Sequence, residues 1–176
     1  MLFETTRLIV RQLDARDLDA MLAVYGDADA MRWVDDGQPI TYAECVHWLE
    51  VTDRNYATRG YGMAAIELRA TGEVIGFCGL VHPGGQPEAE IKYALRRAVW
   101  GQGIASEVAR GMIDYGARTF DLAEIIATVA PENGASRRVL EKAGMRHVET
   151  RRDDDGGLTD VLLWRRAAPP SAAAAI

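Results

Sequence analysis

Two glycines one residue apart, Gly101 and Gly103, stand where a strand-like segment, Glu90 to Leu95, hands over to a helix pattern beginning at Ile104. Glycine is costly inside regular structure, so this spacing at such a junction implies a bulky group brought against the backbone. Main-chain amides at a helix N-terminus, helped by the helix dipole, favour a phosphate. Three kinds of phosphate loop compete for the pattern. The G-K-[ST] ending of an NTPase loop is absent. The dinucleotide fingerprint is weak: Gly101-Gln-Gly-Ile-Ala-Ser106 lacks its third glycine and follows antiparallel strands past the chain's midpoint. The third kind is the pyrophosphate loop of an acyl-CoA enzyme.

Other chemistries fit less well. Ser136 lies in "GASRR", which lacks the closing glycine of a nucleophile elbow. "RRDDDGG" puts Arg151 at the first ligand position of a calcium loop and supplies no closing glutamate, so a hairpin turn is the better reading. His47, His82 and His147 have no zinc spacing, and no metal is expected. Cys45 and Cys78 lie in apolar patterns without metal spacing, as in a reduced, cytoplasmic protein with buried thiols. A net charge of −6 argues against nucleic acid as a partner and mildly favours cationic substrates. No apolar run is long enough to span a bilayer, and "MLFETTRLIVRQL", with Arg7 and Arg11 in its apolar stretch, reads as a strand and not a signal peptide.

The elements that must position these residues follow from periodicity. Arg7 to Leu13 alternates as an opening strand. Asp14 caps a helix whose apolar positions are Leu18, Met21, Leu22 and Tyr25, and Thr41 with Glu44 forms a capping box for a second helix. "GMAAIELRA" and "EVIGFCGLVH" are strands joined across Thr71-Gly72. After a Pro83 to Pro87 loop, the strand Glu88 to Leu95 points Ile91, Tyr93 and Leu95 one way and Glu90, Lys92 and Ala94 the other. A helix runs from Ile104 to near Phe120, and "EIIATVA" reads as a central parallel strand. A short helix from Asn133 stops at Gly144, and strands Arg146 to Arg152 and Leu158 to Arg165 flank "DDDGG". The order is β-α-α-β-β-β-α-β-α-β-β, an α/β domain with a mixed sheet over residues 1–166; the low-complexity tail, 167–176, is expected to be disordered.

From Thr6 to Trp164 the chain resembles the GCN5-related N-acetyltransferases (GNAT), in particular their RimJ/RimL-type branch. "EIKYALRRAVWGQGIASEVARGMIDYG" is similar to the family's strand, pyrophosphate loop and helix. "NGASRRVLEKAGM" is similar to its N-x-x-S-x-x-x-L-x-K-x-G-[FM] helix, and "TTRLIVRQLDARDLDAML" to its first strand and helix. Two positions depart from the family pattern. Ala98 stands where the loop [QR]-x-x-G-x-[GA] opens, with Arg96 and Arg97 before it. Leu140 stands where many members carry a proton-donating tyrosine.

The resemblance implies a GNAT fold and an acetyl-CoA-dependent N-acetyltransferase acting by direct transfer in a ternary complex, with acetyl-CoA as co-substrate. It implies that Trp100, Gly101, Gln102, Gly103, Ile104 and Ala105 wrap the pyrophosphate, with Arg96 or Arg138 pairing a phosphate. The pantetheine arm would enter between splayed strands, bonding the backbone of Tyr93 and Leu95, with Asn133 on its amide or simply capping the helix. Ser136 would protonate the coenzyme A thiolate. The proton acceptor for the amine would be Glu90, or else Glu67 or His82, although Glu90 could instead pair with Lys92. Candidate acceptor elements are Met31 to Ile40, the helix from Thr41 and the loop after His82, where Asp35 and Asp36 could hold a cation. The acceptor is an amine-bearing small molecule or a protein N-terminus. Homodimers are common in the family, and a non-catalytic acyl-CoA-binding module of the same fold is the alternative.

Overall fold

The glycine junction lies at the middle of an eight-stranded mixed sheet with helices on both faces. The computed structural model describes residues 1–34, 37–153 and 156–167. Expectations for Asp35 and Asp36, for the centre of the "DDDGG" turn and for the tail beyond 167 therefore lie outside the described residues.

The chain runs through β1 (Phe3–Glu4), β2 (Leu8–Gln12), α1 (Leu18–Tyr25), α2 (Ala28–Met31), α3 (Tyr42–Arg59), β3 (Met63–Leu68), β4 (Val74–Val81) and β5 (Glu90–Leu95). It continues through α4 (Ile104–Thr119), β6 (Glu124–Val129), α5 (Gly134–Lys142), β7 (Arg146–Arg152) and β8 (Leu158–Arg165). Two short elements join the expected order. β1 pairs Phe3 with Val10 and Glu4 with Ile9. α2 is a single turn capped by the Asp27 side chain, which accepts from the amides of Asp29 and Ala30. Each is too short to leave a hydrophobic period in the sequence.

The sheet order is β1-β2-β3-β4-β5-β6-β8-β7. Strand alternation sorts its side chains into two cores. Leu8, Ile66, Leu80 and Ile91 meet Ile104, Val108, Met112 and Ile113 of α4 on one face, at about 1.5–3 kcal/mol for each fully buried side chain. Ala65, Phe77 and Ala94 meet α1, α2 and α3 on the other, through Met21, Val24, Met31 and Leu49. The capping box begins α3 as read: Thr41 Oγ1 accepts from the Glu44 amide while the Glu44 carboxylate accepts from the Thr41 amide at 2.6 Å.

One relationship within the sheet matters most. β5 and β6 run parallel but share a single registered pair, Glu90 with Ile126. On its far side β5 is laddered to β4 from Leu95 to Glu90, and β6 is laddered to β8 along its whole length. The sheet therefore forks between two well-paired halves.

Candidate active site

The hydrogen-bond phase fixes what the fork exposes. The Arg96 amide donates to the Ile75 carbonyl at 2.9 Å, and in an antiparallel ladder alternate residues bond to the same neighbour. Ala94 and Lys92 thus face β4, while Tyr93 and Leu95 turn their main-chain groups toward β6. On the opposite strand the Ile126 amide donates to Ala89 at 2.9 Å, and Thr128 has the same phase. A cavity of about 890 Å³ occupies the fork, reaching from the glycine loop and α5 to side chains of the α1–α3 layer.

At the α4–α5 mouth, Gly101 and Gly103 have φ of +74° and +77°, a left-handed backbone that side chains disfavour. Gly103 caps α4 without any side-chain cap, so the first-turn amides have no side-chain acceptor. A Cβ on Gly101 would meet nothing within 4 Å, and one on Gly103 would meet only the Arg7 guanidinium at 3.6 Å. The protein itself leaves this space open. Arg7 braces the loop from behind, donating to the Gln102 carbonyl at 2.8 Å and to Glu107 at 2.6 Å.

Not every loop residue of the expected set faces the cavity. Trp100, Gly101, Gly103, Ile104 and Ala105 do, and Ser106 joins them. Gln102 turns away: its side chain donates to the Ala98 carbonyl at 3.0 Å, so position 98 contributes a backbone oxygen to loop structure. The Trp100 amide is engaged by the Arg97 carbonyl at 3.0 Å, so Trp100 presents its ring and not its N–H. Its indole Nε1 donates to the Leu95 carbonyl at 2.8 Å, tying the loop to the end of β5. The two arginines separate cleanly. Arg96 pairs with Glu73 and does not line the cavity. Arg138 lines it and has no carboxylate partner among the described residues.

Farther in, Asn133 caps α5 by accepting from the Ser136 amide at 3.1 Å. This places Ser136 in the first turn, where its Oγ lies 2.6 Å from the Tyr93 hydroxyl. Burial pushes the Tyr93 phenol up to about 12, against the lowering effect of the Ser136 hydrogen bond. Position 140 holds a buried leucine, but a phenol is present all the same, supplied by β5. Sequence reading used Tyr93 only for its backbone. Its alternation with Ile91 and Leu95, on the face that meets α4 and α5, was the signal that could have identified the side chain.

The three expected proton acceptors are all engaged. Glu90 is 2% exposed, sits 2.5 Å from Lys92 Nζ, accepts a hydrogen bond from Thr128 Oγ1, and does not line the cavity. Thr128, missed in the sequence although it is the one hydroxyl in an apolar strand, does line it. Glu67 is bound by Arg11 Nε at 2.6 Å on β3, away from the cavity. His82 Nδ1 donates to the Gln86 carbonyl at 2.9 Å, which in the neutral ring makes Nε2 the acceptor for the Tyr61 hydroxyl. His82 is thus held at a strand end, outside the cavity.

Against this geometry the comparisons with known proteins speak directly. A family model described as Acetyltransferase (GNAT) domain matches residues 7–146. The chain belongs to the GNAT family. As a GNAT member it is an N-acetyltransferase, and its mixed sheet is the GNAT acetyltransferase fold. The uncharacterized protein YkkB of Bacillus subtilis is 32% identical over 150 residues, covering 83% of this chain and 86% of that protein. The uncharacterized N-acetyltransferase p20 of Bacillus licheniformis is 28% identical over 164 residues, covering 91% and 92%. Among solved structures, RimL, a ribosomal-protein alpha-N-acetyltransferase in complex with coenzyme A, superposes with a TM-score of 0.79 at 20% identity, covering 93% and 97%. Among the described residues of this GNAT chain, no helix is long and apolar enough to cross a membrane, and no three His, Cys, Asp or Glu side chains cluster as metal ligands.

Proposed function

We propose that this GNAT enzyme moves the acetyl group of acetyl-CoA to a primary amine, on a small molecule or a protein N-terminus, by direct transfer in a ternary complex. One observation carries the reading: the fork between β5 and β6 joins a glycine loop with open space over its backbone at one mouth to a half-buried Tyr93–Ser136 hydroxyl pair. The pyrophosphate would rest on the amides from Gly101 to Ser106 with Arg138 as its cation. The pantetheine would take the unpaired main-chain groups of Tyr93 and Leu95, and Asn133 has its amide nitrogen left for the same arm. The RimJ/RimL branch, a cytoplasmic setting, a single domain over 1–166 and a homodimer belong to the same proposal.

The chemistry follows from what each side chain can hold. An ammonium acceptor first loses one proton to solvent. The neutral amine then attacks the thioester carbonyl, a C–N bond forms, and charge develops on oxygen near the Tyr93 and Leu95 amides. As the C–S bond breaks, Ser136 protonates the sulfur and is reprotonated from Tyr93, whose raised pKa returns it to the neutral donor form by uptake of a proton from solvent. The second amine proton leaves through the Thr128 hydroxyl, which lines the cavity and donates to Glu90, toward that carboxylate. No thiol is available for an acyl-enzyme, because Cys45 and Cys78 are buried in the two cores.

Calorimetric titration with acetyl-CoA and then desulfo-coenzyme A, followed by thiol release across amine classes, tests the proposal. Micromolar binding with amine-dependent release supports it. Binding without release from any amine would leave a non-catalytic acyl-CoA module.

A further inference from the structure

The half of the cavity away from the glycine loop differs in character from the other. Its walls are aromatic and apolar, with Tyr25, Trp33 and Trp48 set among Met63, Val81 and Pro83. Trp48 packs edge-on against Tyr25 at 5.1 Å, and Trp33 is 47% exposed. Beside this half lies a smaller cavity of about 300 Å³ that shares Arg32, Trp33, Lys92, Thr128 and Val129 with the larger one. The two spaces adjoin across those side chains.

The charges lining this region are unbalanced. The Arg32 guanidinium stands 5.8 Å from the Trp33 ring centroid and has no carboxylate partner among the described residues. Lys92 is 42% exposed and shares its charge with Glu90 alone. Asp29, the one carboxylate lining either cavity among the described residues, is bound by Arg97 at 2.6 Å. Among the described residues, counting Arg32 and Lys92 as positive and Glu90 as negative leaves one net positive charge around the small cavity. A cationic acceptor would meet a guanidinium with no carboxylate partner among the described residues, and like-charge juxtaposition is unfavourable. An anion would find the Arg32 guanidinium and the Lys92 ammonium, while Thr128 already donates its proton to Glu90.

We infer that the acceptor is an amine that also carries a carboxylate, an amino-acid-like molecule, held by Arg32 and Lys92 in the small cavity while its apolar portion packs on Trp33 and Trp48. The inference rests on the acetyltransferase reading above. The Arg32 side chain sets specificity through a charge-assisted contact with the carboxylate, and the amine is left directed toward the fork.

The test is a matched pair of products: N-acetylphenylalanine and its neutral analogue N-acetylphenethylamine, titrated separately into the CoA-loaded protein. The expected result is at least about 10-fold tighter binding of the acid, a ratio that collapses toward unity in Arg32→Gln and recovers partly in Arg32→Lys. Arg32 is exposed, so these variants should fold, and circular dichroism checks that they do. Equal affinities for the pair, or a ratio unmoved by Arg32→Gln, overturn the inference. Turnover is then compared for phenylalanine and phenethylamine. Carboxylate-selective binding without thiol release from either amine, or from any other amine class, defeats the acetyltransferase reading while leaving the anion site standing. Turnover that favours phenethylamine defeats the anion site alone.

Discussion

The Tyr93 hydroxyl lies 2.6 Å from Ser136 Oγ, joining β5 to the first turn of α5 across a sequence separation of 43 residues. Groups linked this way act as one unit, and their deletions do not add. Ser136→Ala should lower kcat by about 10- to 10⁴-fold with acetyl-CoA affinity nearly unchanged. Tyr93→Phe should lower kcat less, because Ser136 keeps its own proton. The double variant should be no slower than Ser136→Ala alone. Multiplicative losses in a steady-state double-mutant cycle would show that the two hydroxyls act separately.

Burial raises the Tyr93 phenol to about 12, so its neutral form persists through the whole working range. The sign for stability follows. Above about pH 10, where a solvated phenol ionises, the unfolded chain gains charge that the folded chain refuses. This contribution is intact below pH 10 and is lost as pH rises toward 12. Thermal unfolding followed between pH 9 and 12 should show a shallower alkaline decline for Tyr93→Phe than for the parent.

Asp160 offers the opposite limb. Hydrogen bonding from Thr150, opposed by desolvation and aided by His147 and Arg137, holds its carboxyl below the usual range. Its depressed folded pKa contributes stability above the unfolded carboxylate pKa, and that contribution is lost as pH falls through the folded value. Asp160→Asn should therefore flatten the acid limb of a Tm profile, most visibly below about pH 4.

Gly101→Ala should cost about 1 kcal/mol in stability for the left-handed backbone, with no clash inside the protein. Gly103→Ala should behave alike. If the space over these glycines belongs to a pyrophosphate, acetyl-CoA binding should weaken by more than 10-fold in calorimetry. A loss confined to Tm would make the loop a plain turn.

Arg138→Gln should weaken acetyl-CoA by about 10-fold, the scale of one charge-assisted hydrogen bond. Arg96→Gln should leave that affinity within about twofold, because Arg96 is turned to Glu73. The sequence alone could not separate these two arginines, both exposed and both near the loop.

That contrast shows what was legible and what was not. Periodicity placed Ile91, Tyr93 and Leu95 on one face, and capping rules found Thr41 with Glu44 and the helix start at Asn133, since each depends on residues within one or two turns. The engagements that decide roles are long-range. Lys92 and Thr128 converge on Glu90 from two strands, Arg7 reaches Gln102, and Trp100 folds back onto Leu95. None of these leaves a local period. The fork was expected only through the family resemblance, because no residue in β5 or β6 forbids a full ladder.

Thr128→Val offers the sharpest test of Glu90. If the carboxylate takes the amine proton through Thr128, both Thr128→Val and Glu90→Gln should depress kcat/KM at neutral pH. If Glu90 only neutralises Lys92, Glu90→Gln should lower Tm while Thr128→Val leaves kcat/KM unchanged.

The fork also bears on aggregation. A strand edge with unpaired amides and carbonyls invites pairing with other chains, and proteins usually protect such edges at their periphery. Here two such edges lie in the middle of the sheet, between the α1–α3 layer and α4–α5. A foreign strand needs about 4.8 Å of clear spacing on each side to dock, and the fork is closed at one end by the Glu90–Ile126 pair at the start of β5. The protein can thus keep a reactive backbone permanently open at its centre without exposing it to its neighbours.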